Sequence, residues 1–147
     1  MIQDDLKWYR EIGFPETVIS LAEDNISRIE RYYGITFEGF YISNKKDESH
    51  DEYPSLWLFN NEFVVESKDF LSKTYLDIDL ARYKENVKYI NIITDNFSSL
   101  EEPLVDSKIK LIVSIGNNIK CTFDAVGANC SRLNDLAKMF IREHTKV

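Results

Sequence analysis

The segment Ser107 to Val147 constrains the fold more than any other part of the chain, because its periodicity changes twice within one short stretch. From Ile109 the apolar residues Ile109, Leu111, Val113 and Ile115 alternate with Lys108, Lys110 and Ser114, the period of a strand that buries one face; Ile112 alone is apolar on the wet side. Gly116, Asn117 and Asn118 all accept positive φ at low cost and predict a hairpin turn of about three residues. Ile119, Cys121, Phe123 and Ala125 continue one face on the return strand, while Lys120, Thr122 and Asp124 take the other. After Gly127, Asn129 or Ser131 is placed to cap a helix, and Leu133, Leu136, Ala137, Phe140 and Ile141 follow at helical spacing, with Arg132, Asp135, Lys138 and Arg142 toward water. The closing unit is therefore strand, turn, strand and one amphipathic helix.

A chain of 147 residues is the size of one domain and long enough to bury close to about 70% of its unfolded surface. Its 44% hydrophobic and 13% aromatic content exclude wholesale disorder. No apolar run approaches the roughly 18 residues that span a bilayer, and the opening Met-Ile-Gln-Asp-Asp lacks the basic and apolar regions of a signal peptide. A cytoplasmic protein is expected. Cys121 and Cys130 agree with that compartment, since they form no Cys-x-x-Cys pattern or disulfide framework and read as two free thiols.

The net charge of −7 is unevenly distributed. Residues 1–54 carry 12 acidic and 6 basic side chains, whereas residues 107–147 carry 3 acidic and 7 basic. The acidic total argues against nucleic acid and against anionic membranes, which both require clustered Lys and Arg. Lys108, Lys110 and Lys120 are the exception, either a small basic patch or a solvated strand face that discourages edge pairing.

Earlier in the chain, Asp4 or Asp5 is placed to cap a short helix through Leu6, Trp8, Tyr9 and Ile12, ended by Gly13. A second helix over about residues 15–33 follows from Pro15 in its first turn, Glu16 near its positive end, apolar residues Ile19, Ala22, Ile26 and Ile29, and Gly34 at its close. Residues 35–43 are β-like, bent or weakened at Gly39. Residues 44–54 hold nothing to bury and read as a loop. From Ser55, strand patterns dominate: Leu56 to Phe59 and Phe63 to Val65 flank an Asn60-Asn61 hairpin turn, residues 67–73 connect, and Leu76, Ile78 and Leu80 alternate with Tyr75, Asp77 and Asp79. After a polar turn at residues 82–86, Val87 to Thr94 is apolar on both faces, which predicts a central or curved strand, and a second loop holds Pro103. Two helices, about seven strands joined by short turns and a closing helix make the segregated α+β pattern rather than alternating βαβ.

No catalytic or metal-binding motif stands out. Asp77 and Asp79 share a strand face at the spacing of paired carboxylates, but an exposed face does not drive their pKa values apart as acid and base roles require. His50 lies among carboxylates in a segment without the supporting shell a metal site needs, and His144 suits the negative end of the last helix. There is no phosphate-binding loop or other cofactor signature.

Residues 55–143 resemble the pleckstrin-homology-like superfold, including its bacterial and GRAM-related branches. The resemblance is carried by meandering strands before a single C-terminal helix and by the strand, Gly-Asn turn and strand that end Thr122-Phe123-Asp124-Ala125 before Gly127 and Asn129. It implies a bent, nearly closed sheet plugged by that helix, with residues 1–34 as a helical extension and the whole chain as one domain. Phosphoinositide-binding members similar to this fold carry basic residues in the first hairpin, where they grip phosphate. Here the hairpin is Phe59-Asn60-Asn61-Glu62, with no Lys or Arg between Lys46 and Lys68, so phosphoinositide-type membrane binding is not expected.

The leading expectation is a non-enzymatic interaction or scaffold module that binds a protein partner or itself through a sheet edge, a helix groove or the aromatic N-terminal region, because such docking needs no chemical motif. Trp8, Tyr9, Lys108, Lys110 and Lys120 are the candidate partner-binding residues. A small-ligand or lipid pocket between sheet and C-terminal helix is the alternative.

Overall fold

The computed structural model describes residues 2–43, 55–72, 75–95 and 107–145. The loop expected over residues 44–54, with His50, and the one holding Pro103 lie outside the described residues. Within them the chain is α+β, in the order α1 (Ile2–Glu11), α2 (Glu16–Tyr33), β1 (Gly39–Ile42), β2 (Ser55–Phe59), β3 (Phe63–Lys68), β4 (Asp77–Arg82), β5 (Val87–Asp95), β6 (Lys108–Ile115), β7 (Ile119–Val126) and α3 (Asn129–Thr145). The strands form two sheets, β1-β2-β3-β4 and β5-β6-β7, and do not close into a barrel. Two compact units result: Met1–Ile42 with Tyr53–Leu80, and Ser43–Glu52 with Ala81–Val147. The N-terminal helices thus belong to the first unit, and the boundary falls within β4.

In the first unit α1 and α2 bury Leu6, Tyr9, Ile19, Ala22, Ile26 and Ile29 together with Phe40, Leu56, Leu58 and Val65 of the sheet. α2 begins after Pro15 and stops at Gly34, whose φ of 67° is the left-handed close that glycine makes without strain. Neither Asp4 nor Asp5 caps α1; both lie inside its first turn, and the Asp5 carboxylate turns inward. The β2–β3 hairpin forms as expected, its turn held by the Asn60 side-chain oxygen, which accepts the backbone N–H groups of Glu62 and Phe63 at 2.9 and 2.7 Å.

One buried polar network spans α2 and the β3 end. Asn25 donates to the Phe70 carbonyl at 3.0 Å and accepts the Ser67 hydroxyl at 2.9 Å. Asn25 and Ser67 are both nearly inaccessible, and each satisfies part of the other's hydrogen-bonding capacity.

In the second unit β6 buries Ile109, Leu111, Val113 and Ile115 as its alternation predicts. β7 faces it with Cys121, Phe123 and Ala125, while Ile119, immediately after the turn, is 46% exposed. Leu133, Leu136, Ala137 and Phe140 of α3 complete this core, where Phe140 meets Tyr83 and Phe123 at ring separations of 5.5 and 5.6 Å. The apolar stripe of α3 ends differently from the sequence expectation: Ile141 is exposed and Glu143 is buried. Position 143 lies three residues beyond Phe140 and seven beyond Leu136, so helical geometry returns it to the packed face whatever its chemistry.

Candidate interaction surface

A sheet edge offers unpaired N–H and C=O groups, and the two sheets have four such edges. β1 is covered by α1. The Phe40 N–H donates to Asp5 Oδ2 at 3.0 Å and the Ile42 N–H donates to Tyr9 Oη at 2.8 Å. Four residues of helix rise about 6 Å and two residues of strand about 6.6 Å, so an i, i+4 pair on α1 matches successive outward amides of β1. Tyr9 is fully buried and stacks on Phe40 at 5.4 Å, with Phe14 edge-on at 4.7 Å. It is therefore structural and is not presented to a partner. Trp8 is half-buried, edge-on against Tyr9 at 5.1 Å.

β4 is an edge of a different kind. Asp77 and Asp79 face water along it, Arg82 is exposed at its end, and Lys68 of β3 reaches Asp79 at 2.8 Å. The hydrogen bond to Asp79 is the main reason the Lys68 ammonium is held above its ordinary pKa. Charged side chains on an edge oppose pairing with a foreign strand. Asp77 and Asp79 are thus solvated residues of an edge strand.

β7 carries Lys120 and is engaged at Asp124, whose N–H donates to Ser43 Oγ at 3.0 Å and whose carbonyl accepts that hydroxyl at 3.3 Å. These bonds mean that both backbone groups of Asp124 point away from β6. The alternation of an antiparallel ladder then turns the groups of its partner Lys110 toward β5, where Lys110 faces Ile93. Along β5, Asn91, Ile93 and Asp95 consequently bond to β6. Ile90, Ile92 and Thr94 direct their N–H and C=O groups outward.

Among the described residues no side chain bonds the outward backbone of β5 at Ile90, Ile92 and Thr94. Tyr89, Ile92 and Ile93 on it are 54%, 45% and 47% exposed. Apolar residues on both faces predict a central or curved strand; β5 is not central but ends its sheet, and those apolar side chains meet water. A register shift between Val87 and Tyr89 marks a bulge at its start, where His144 Nδ1 donates to the Val87 carbonyl at 3.0 Å. His144 therefore joins α3 to β5 by a specific bond, beyond any effect at a helix end.

The three lysines are not gathered into one patch. Lys108 lies opposite Asp95, and Lys110 lies opposite Asp124. Lys120 pairs with Ser114, four residues along β6 from Lys110, or about 13 Å. The face alternates in sign.

Among the described residues no group of three or more His, Cys, Asp or Glu gathers to hold a metal. Cys121 and Cys130 are free and buried, and burial pushes the Cys130 thiol up to about 11. A cavity of about 270 Å³ is lined by Glu16, Thr17, Ser20 and Leu21, all from the start of α2 rather than from the α3–sheet interface. Comparison with protein-family models, curated proteins and solved structures finds no match to any of them. The pleckstrin-homology-like resemblance consequently rests on the order of elements and on the residues of the closing strand-turn-strand unit.

Proposed function

We propose that this protein is a non-enzymatic cytoplasmic interaction module that accepts an additional β-strand from a protein partner on its β5 edge. The observation that carries the reading is the contrast among edges: side chains bond the outward backbone of β1 and of β7 at Asp124 and charges line β4, whereas β5 carries its charges and its bond from His144 toward its ends and presents outward backbone at Ile90, Ile92 and Thr94 beside exposed apolar side chains. Strand addition draws affinity from main-chain hydrogen bonds and selectivity from alternate side chains, so it needs none of the motifs the chain lacks. Among the described residues no helix is long and apolar enough to cross a membrane, and the two cysteines are free, both compatible with the cytoplasm. A pocket between α3 and its sheet has less support, because Phe123, Leu133 and Phe140 fill that space with no exposed surface.

The test compares capture by the wild-type chain with capture by Ile92→Lys and Ile92→Pro. Proline at 92 removes an N–H that points outward and leaves the β6 ladder intact. Partners retained by the wild type and lost by both variants support the β5 reading; identical capture by all three places recognition elsewhere.

A further inference from the structure

We infer that the occupant of the β5 edge is a second copy of this chain, paired antiparallel β5 to β5 about a two-fold axis at Ile92. The inference rests on the reading of β5 as an open edge and goes further by naming what covers it. Two outward-facing residues must meet in each narrow pair, so ladder alternation allows only a few symmetric registers. With the axis at Ile92, Ile92 meets its own copy and Ile90 meets Thr94 on either side. Three narrow pairs then exchange about six hydrogen bonds, whereas an axis one residue away in either direction retains only two such pairs within the regular part of β5.

The same register covers the apolar side chains. Ile92 contacts its symmetry mate directly. On the other face Asn91 lies opposite Ile93 and Tyr89 opposite Asp95, which places the Tyr89 ring diagonally across the partner's Ile93. The three hydrophobic residues exposed along β5 are Tyr89, Ile92 and Ile93, and all are covered at once. Charge agrees with the antiparallel sense, because β5 has Lys88 near one end and Asp95 at the other. Antiparallel pairing sets unlike charges at each end of the interface; parallel pairing sets like charges together. An isologous contact also closes on itself, so the edge is consumed and does not propagate into a fibre.

Sedimentation of the full chain at high micromolar concentration is expected to give twice the 17.2 kDa chain mass. Ile92→Lys, which sets two ammonium groups against each other on the axis, is expected to weaken association by about a hundredfold. Circular dichroism and melting confirm that the variant remains folded. Ile92→Cys supplies an independent geometric readout: its two copies sit about 5.5 Å apart between Cα atoms, within disulfide reach, and oxidation should link the chains. Asn91→Cys, two residues out of register with its copy, should link poorly. A wild type that is monomeric throughout, a dimer indifferent to Ile92→Lys, or cross-linking at 91 in preference to 92 overturns the inference. A monomeric wild type that still loses captured partners on Ile92→Lys rejects self-pairing and keeps the open-edge reading; one that loses none rejects both.

Discussion

Tyr9 and Asp5 illustrate how single residues decide where a helix docks. Each supplies an acceptor to an outward amide of β1 while lying on the buried side of α1. Tyr9→Phe keeps the ring packing and removes the acceptor, so a loss of about 1–2 kcal/mol in urea unfolding is expected. A change below a few tenths would show that the bond contributes little. Cys130 gives a pH test. Its thiol ordinarily titrates near 9.0 and in the folded chain near about 11, so between those values the unfolded chain releases a proton that the folded chain keeps. The thiol's contribution is full below pH 9 and is lost as pH rises toward 11. The melting temperature of wild type should therefore fall more steeply over that range than that of Cys130→Ala; parallel pH profiles would contradict it. Local spacing identified Tyr9 as apolar and helical, but its hydroxyl partner is 33 positions away. No window of neighbouring residues contains that bond.

At the scale of elements, β1 tolerates close approach because Gly39 has no side chain. A Cβ there would lie 2.8 Å from the Phe59 ring and 3.0 Å from the Asp5 carboxylate oxygen. Gly39→Ala should destabilise the fold by about 1–3 kcal/mol, and Phe59→Leu should restore part of the loss by vacating ring atoms; denaturant titration of the single and double variants measures the coupling. An additive double variant would mean that the ring is not the obstacle. The sequence marked Gly39 as a weak point in a strand, and the observed reason is contact with a neighbouring strand and helix. The alternation of β4 and β6 was legible for the opposite reason, since β6 buries one face, β4 half-buries Ile78 and Leu80 on one face, and the period of two is written in the residues themselves. β5 was not. Apolar residues on both faces fit a strand buried between layers and an edge strand awaiting cover equally well, and only its place in the sheet separates the two.

For the molecule as a whole, a net charge of −7 and a lysine face interrupted by Asp95 and Asp124 predict no attraction to anionic surfaces. Vesicles containing phosphoinositide should sediment as little wild-type protein as protein carrying Lys108→Glu, Lys110→Glu and Lys120→Glu together. Binding by the wild type that the triple change abolishes would overturn the exclusion. The order of elements, the two tight turns of the hairpins and the α+β class were determined by the sequence alone, because periodicity, capping residues and turn residues act over a few positions. Tertiary structure decided the rest: the division of the described strands into two sheets, the helix that covers β1, the burial of Glu143 and the exposure of β5. Each depends on which distant backbone groups find partners. The free energy of an unpaired amide, unlike the period of a strand, is set by what lies across from it in space.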